Sequence, residues 1–98
     1  MRDVFKALAS NVRLNILAWL KEPDKHFPLS DSTGAPTNGI CVGHIQKKAG
    51  LSPSTASTHL AILQRAGLIE ATRIGQWTYY KRNETTIARL AQQISTSL

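Results

Sequence analysis

The sequence is poor in cysteine, in acidic residues and in long apolar runs, and each shortage excludes a class of protein. The one cysteine, Cys41, cannot form a disulfide within the chain or a zinc site built from several thiolates. We find no secretory signal peptide and no apolar run long enough to span a membrane, so we expect a cytoplasmic protein. No nucleophile has a recognisable base and acid, and no phosphate-binding glycine loop or set of metal ligands is present. We therefore expect neither an enzyme nor a bound cofactor or metal.

Acidic residues are few, six against twelve Lys and Arg, which leaves a net charge of +6. The excess is concentrated in residues 44–82, which hold six Lys or Arg and one acidic residue, whereas residues 1–43 hold five and four. A basic region of this kind is typical of a surface that binds the phosphates of a nucleic acid. The alternative is a solvated basic surface that keeps the protein soluble.

Residues 52–67 are the stretch around which the chain is organised. Ser52 is a good N-cap and Pro53 suits the first helical position, while Gly67 lies where the helix should end. Apolar residues recur at spacings of four and three and predict a buried face: Ala56, Leu60 and Leu63. The other face carries short polar residues, which are mediocre helix formers: Ser54, Thr55, Ser57, Thr58 and His59. Such a helix fits a DNA major groove, although His59 can instead join a polar network beneath the helix.

A β-hairpin is predicted directly after this helix. Residues 68–74 and 77–82 are rich in β-favouring residues, and the Gly75-Gln76 loop between them suits a type II′ turn. Arg73, Gln76 and Lys81 are candidates for DNA contacts on this hairpin, and we expect Trp77 to face inward. A helix followed by a basic hairpin is the order of a winged helix-turn-helix.

The segments before residue 52 complete a single domain. We predict helices over residues 3–9, 11–21 (capped by Ser10) and 41–49, and a loop over residues 22–39 in which Phe27 packs on the core. Residues 24–38 appear as an inserted loop. The turn over residues 50–52 joins the last two helices into a helix-turn-helix, in which Lys47 lies near the DNA backbone. The predicted fold is therefore mainly α with a small hairpin, in the order α-α-α-α-β-β-α.

The last helix, after residue 83, has one narrow apolar stripe that must dock on its own domain or on a second copy of the chain. We favour a homodimer, because the first two helices also have surplus apolar surface. The residues predicted at its interface are Val4, Leu8, Trp19, Ile87, Leu90 and Ile94.

Two motifs resemble the ArsR/SmtB family of bacterial winged-helix repressors. The run FKALASNVRLNIL at residues 5–17 is similar to the family's N-terminal signature. SPSTASTHLAIL at residues 52–63, with AGLI at residues 66–69, is similar to its recognition helix and the start of its wing. The resemblance implies a homodimer that binds double-stranded DNA at an inverted repeat in a promoter and represses transcription until an effector intervenes.

The sequence departs from the resemblance at the effector site. Thiolate-sensing members have Cys-Val-Cys where this chain has Cys41-Val42-Gly43, and members that bind metal on the last helix use Asp and His that are missing here. Cys41 and His44 are the candidate sensor residues, because they lie one turn apart at a helix start, whose dipole favours a thiolate. The alternative for these two residues is a buried, silent cysteine and a surface histidine. For the protein as a whole, one alternative is a repressor that responds to oxidants or metalloids through Cys41, and another is a winged helix that contacts only proteins.

Overall fold

The computed structural model describes residues 1–28 and 38–98. Six helices and three strands lie within these residues. The helices are α1 (Arg2–Leu8), α2 (Asn11–Lys21), α3 (Pro23–His26), α4 (Val42–Ala49), α5 (Pro53–Arg65) and α6 (Glu84–Ser97). The strands are β1 (Ile40–Cys41), β2 (Ile69–Ile74) and β3 (Trp77–Arg82). The predicted mainly helical fold with a hairpin before the last helix is confirmed.

The first part of the predicted loop is helical. The prediction of a loop from residue 22 was wrong at α3, because Pro23 occupies the first helical position, which a proline favours. Glu22 and Lys25 form an ion pair of 2.8 Å one turn apart. The hydrogen bond of this pair lowers the pKa of Glu22 and raises the pKa of Lys25. Both groups are exposed, so the pair adds little stability. Phe27 packs on the core as predicted, while the remainder of the predicted insertion, residues 29–37, lies outside the described residues.

Local hydrogen bonds fix both ends of the helix-turn-helix. Gly50 has a φ of 67° and ends α4, and the amide of Leu51 donates to the carbonyl of Gln46 at 3.2 Å. The hydroxyl of Ser52 then accepts from the Thr55 amide at 3.3 Å and caps α5. At the other end, Gly67 has a φ of 80°. Glycine adopts this positive angle easily because it has no Cβ. These caps set the three-residue turn that presents α5 at a fixed angle to α4.

The hairpin forms as predicted and gains a third strand. Strands β2 and β3 are antiparallel, with Ile74 opposite Trp77, and of the two turn residues only Gly75 has a positive φ. Strand β1 pairs with the other edge of β3, where Ile40 lies opposite Tyr80. The prediction lacked this strand because two residues are too few to show an alternating pattern. The sheet order is β1-β3-β2.

The core lies between the helices and the inner face of the sheet. Its largest fully buried side chains come from α2, α4, α5 and β3: Ile16, Ile45, Leu60, Leu63 and Tyr79. Helix α6 differs from the other long helices, α2 and α5, because none of its residues is buried. Its apolar stripe touches the core only at the margin, through the half-buried Ile87 and Leu90. The fold therefore leaves two surfaces with unused binding capacity, the polar face of α5 and the apolar side of α6.

Candidate nucleic-acid interface

The outer face of α5 is a row of exposed hydroxyl groups. Ser54, Thr55, Ser57 and Thr58 are all exposed. The Thr58 hydroxyl donates to the Ser54 carbonyl at 3.0 Å, and the Ser52 hydroxyl donates to that of Thr55 at 2.9 Å. Ser57 has no side-chain partner among residues 1–28 and 38–98. Its hydroxyl can therefore both donate to and accept from a ligand, as reading of a base edge requires.

His59 lies at the edge of this row and points back into the protein. Its ring is half-buried, and its Nδ1 atom lies 3.0 Å from Nη1 of Arg13 on α2. Arg13 is the buried charged residue of the core, with 9% of its surface exposed. His59 therefore takes part in a polar network beneath the helix. Its predicted DNA contact stays a prediction. Sequence reasoning missed Arg13, although an arginine within an almost wholly apolar helix is a signal of a buried, paired charge.

The hairpin carries exposed polar residues along its length. The Arg73 side chain folds towards the turn, and its Nε donates to the Gly75 carbonyl at 3.2 Å. Gln76 in the turn and Lys81 on β3 are exposed. The prediction of an inward-facing Trp77 was wrong, because half of its surface is exposed. At the end of a two-stranded hairpin, neither face has a neighbouring element to cover it. Farther along β3, burial raises the pKa of Tyr80.

The last turn of helix α4 is basic, and its two lysines, Lys47 and Lys48, have different surroundings. Lys47 is exposed, as a backbone contact requires. The Lys48 ammonium lies 5.2 Å from the centre of the Trp19 ring, a cation–π distance. His44 borders a surface cavity of about 310 Å³ together with residues of α3 and the segment after it: His26, Phe27, Pro28, His44, Lys47 and Lys48. The structure therefore groups His44 with His26, and it places Trp19 beside α4.

A second, apolar groove of about 210 Å³ runs between α1 and α6. Its lining combines five of the six residues predicted for the dimer interface with four others: Val4, Leu8, Leu17, Leu68, Arg82, Ile87, Leu90, Ala91 and Ile94. Trp19 is not part of this groove. Arg82 lies at its margin, where its Nη2 donates to Glu84 at 3.0 Å, so the one charge in the lining is paired. An open apolar groove of this kind is typical of a protein-protein contact.

Cys41 is the N-cap residue of α4 and is half-buried, and it also belongs to β1. Its side chain makes no capping hydrogen bond. Within the described ranges, no three His, Cys, Asp or Glu side chains lie close enough together to hold a metal ion. None of the helices in the same ranges is long and apolar enough to cross a membrane.

Comparisons with known proteins agree with this geometry. Residues 39–71, which comprise β1, α4, α5 and the start of β2, match the family described as bacterial regulatory protein, arsR family. The chain is 51% identical over 96 residues to the uncharacterized HTH-type transcriptional regulator YbzH of Bacillus subtilis, and the match covers 98% of this chain and 96% of that protein. It is also 32% identical over 87 residues to the transcriptional repressor SdpR of Bacillus subtilis, which covers 89% of this chain and 80% of the other.

A solved structure shares the architecture. It is the homodimeric winged helix-turn-helix DNA-binding domain of Mb0332 from Mycobacterium bovis, described as a possible ArsR-family transcriptional regulator. The identity is 30%, the TM-score is 0.67, and the match covers 97% of this chain and 74% of the other. The chain therefore belongs to the arsR family of bacterial regulatory proteins, and it is a DNA-binding transcriptional regulator with a winged helix-turn-helix fold.

Proposed function

We propose that the protein is a homodimeric repressor that binds an inverted repeat in a promoter. Each recognition helix, α5, enters a major groove, and each hairpin contacts the adjacent backbone. The observation that carries this proposal is the exposed hydroxyl row of α5 beside a basic hairpin. Transcriptional regulation proceeds without catalysis by this chain, and the protein would act in the cytoplasm, where the promoter is found.

The chemistry of α5 supports reading of bases in addition to phosphates. Ser57 offers an exposed hydroxyl that no described residue uses, whereas Thr58 donates within the helix and so presents its methyl group and an oxygen lone pair. A hydroxyl can contact any of several base edges, and a methyl group can contact thymine. Phosphate contacts are assigned to side chains outside the row of hydroxyls: Lys47, Arg73, Gln76 and Lys81. We assign base reading to α5 and positioning to these residues.

The groove between α1 and α6 supports the dimer. Its apolar lining is open in the single chain, and α6 has no buried residue of its own. A second copy related by a twofold axis would pack its groove against the groove of the first copy. This contact buries the apolar stripe of both α6 helices. The two recognition helices would then meet successive major grooves about 34 Å apart, which requires an inverted repeat. The homodimeric Mycobacterium bovis relative supports this arrangement.

We also propose that the protein represses transcription and that an effector relieves the repression. Repression is supported by the relationship to SdpR, which is named a transcriptional repressor. Release of the DNA would follow from an effector that favours another orientation of α5. Cys41 and His44 are the residues proposed for that site, as a sensor of oxidants or of a metalloid that acts through Cys41.

The experiment that tests the proposal is to recover and sequence the DNA that the protein retains from a promoter-containing fragment library. The enriched site is then bound as a duplex with both half-sites and with one. We expect the two-half-site duplex to bind one dimer and to bind far more tightly than a scrambled duplex. Uniform affinity for all duplexes would contradict base reading, and the absence of any salt-dependent binding would favour a winged helix that contacts only proteins.

Substitution of Ser57 by Ala provides the matched test of residue roles. If Ser57 contacts a base, its loss should cost about 1–3 kcal/mol on the specific duplex and relax preference at one base pair. Ser95 on α6 is exposed as well, so Ser95→Ala serves as the control and should leave specific binding unchanged. Equal effects of the two substitutions would remove Ser57 from the reading surface.

A further inference from the structure

Arg13 connects three elements of the fold through one side chain. Its Nε donates to the Ala7 carbonyl at 2.8 Å, and its Nη2 donates to the Lys6 carbonyl at 2.9 Å, both at the end of α1. Its Nη1 lies 3.0 Å from Nδ1 of His59 on α5. The side chain itself belongs to α2. A planar guanidinium can make these three bonds at once because its donors are held in a fixed fork.

The contact between the two side chains fixes the protonation state of His59. A guanidinium has only donors, so the Nδ1 atom that it faces must be an acceptor. The ring is then neutral, and its hydrogen is on Nε2. This Nε2 atom has no hydrogen-bond partner among the residues that the structure describes, and it is not one of the buried polar atoms without a partner. Nε2–H therefore remains a free donor that is open to solvent.

We propose that Arg13 is a positioning residue for DNA binding: it holds His59 as the neutral Nε2–H tautomer and thereby fixes the orientation of α5. The proposal rests on the proposed function, in which α5 reads DNA. Thr58 and Ser57 directly precede His59 in the chain, so rotation of α5 that breaks the Arg13–His59 bond also moves the hydroxyl row. Lys6 and Ala7 anchor Arg13 through backbone atoms, so α1 acts as the fixed support.

The charged groups on the elements around His59 are mostly basic. α5 packs against α1, α2, α4 and β2. Beyond Arg13, the charged or titratable residues of these elements and of α5 itself are Arg2, Asp3, Lys6, Lys21, His44, Lys47, Lys48, Arg65, Glu70 and Arg73. Basic groups outnumber acidic ones. Asp3 is exposed, and it borders a small cavity with Lys6 and Arg65, which can balance its charge locally. A proton on Nδ1 would place a second donor 3.0 Å from the Arg13 guanidinium, which itself has only donors.

This arrangement sets the sign of the pH dependence. A proton on Nδ1 removes the acceptor, so acidification should break the bond and weaken specific binding. Nonspecific binding should change in the other direction, because added positive charge on the protein strengthens its attraction to phosphate. The ratio of specific to nonspecific affinity should therefore fall as the pH is lowered from about 8 to about 5.5, the interval in which histidines titrate.

The test uses two substitutions that separate the ring nitrogens. In His59→Asn the amide oxygen can occupy the place of Nδ1 and accept from Arg13, but it does not titrate. In His59→Gln the amide lies where Nε2 was, and Arg13 loses its acceptor. We expect His59→Asn to keep most of the specific affinity and to lose the pH dependence. We expect His59→Gln to lose roughly tenfold or more in specific affinity, since one bond to a charged group is removed, with nonspecific affinity unchanged. Arg13→Lys also loses the fork that reaches Lys6 and Ala7, so we expect it to lose at least as much specific affinity.

A nuclear magnetic resonance measurement of the His59 ring nitrogens keeps the test independent of DNA. In the free protein at pH 7.5 we expect the pattern of a protonated Nε2 and an unprotonated Nδ1, and loss of this preference in Arg13→Lys. His26→Asn is the matched control: its half-buried ring lies on α3, and its substitution should leave the pH profile of the specificity ratio intact.

Three results would overturn the proposal. One is equal loss of specific affinity in His59→Asn and His59→Gln, which would mean that an acceptor at the Nδ1 position does not preserve binding. Another is a rise of specific affinity on acidification, which would mean that a charged His59 contacts phosphate directly. The third is a wild-type protein that shows no specific duplex binding, which would overturn the proposed function as well. The first two results leave the proposed function intact.

Discussion

Replacement of Leu90 by Ala tests whether the groove between α1 and α6 is the dimer interface. Leu90 is half-buried in the single chain and lies in the wall of the groove. Full burial of a leucine side chain is worth about 1.5–3 kcal/mol, and at most about a third of the Leu90 surface is left, so a partner can gain about 0.5–1 kcal/mol. In a twofold dimer both copies of Leu90 contribute this amount. We therefore expect Leu90→Ala to weaken the dimer by about 1–2 kcal/mol, or about 5- to 30-fold in its dissociation constant.

A charged substitution should have a larger effect. Leu90→Asp places a carboxylate among apolar side chains, where it has no partner when the groove is covered, so we expect monomers and loss of operator binding. Sedimentation over a range of protein concentrations measures the dimer dissociation constant, and circular dichroism shows whether the chain remains folded. Arg89→Ala is the control, since the neighbouring Arg89 is exposed and does not line the groove. A Leu90→Asp protein that sediments as a dimer with wild-type affinity would refute this assignment of the interface.

Four further substitutions test other parts of the fold and the site. Arg73→Ala should weaken binding to all duplexes alike and reduce the slope of log affinity against log salt by about 1, which a salt titration measures. Gly39→Ala should destabilise the fold by more than about 2 kcal/mol in urea unfolding, because Gly39 has a φ of 97° and a Cβ there would collide with the Tyr80 carbonyl. Gly43→Ala, at an open position of α4, should instead stabilise it by up to about 1 kcal/mol. If Cys41 is the sensor, peroxide, Zn²⁺ or arsenite should lower the operator affinity of the wild type and leave Cys41→Ser unchanged. Equal responses of the two proteins in an operator titration would make Cys41 structural.

The sequence predicted those elements whose determinants are local. The limits of α5 follow from Ser52, Pro53 and Gly67, each of which acts on backbone groups within a few residues. The hairpin follows in the same way, because Gly75 supplies the positive φ that its two-residue loop requires. The apolar spacing of Ile87, Leu90 and Ile94 predicted a shared face, and the structure places the three in one groove. These features depend on residues near in sequence, so one sequence suffices to find them.

The features that the sequence did not predict depend on contacts between distant segments. Strand β1 exists because the edge of β3 is available to Ile40, and that edge is formed by residues 40 positions later in the chain. Arg13 and His59 are 46 positions apart, and neither has a local pattern that predicts the other. Trp19 is predicted at the dimer interface from its apolar character; in the structure Lys48 lies over its ring, and it does not line the groove between α1 and α6. A large aromatic side chain fits several places, and only the tertiary arrangement selects one.

Helix α1 connects the two surfaces on which the proposed function depends. One of its sides contributes Val4 and Leu8 to the groove with α6. The carbonyls of Lys6 and Ala7, near its C-terminal end, hold Arg13, which in turn contacts His59 on the recognition helix. A change that displaces α1 must therefore alter both the dimer contact and the support of α5. Regulation in this protein need not begin at the proposed DNA-reading residues, because a shift of this seven-residue helix at the proposed dimer interface would reach them through one buried guanidinium.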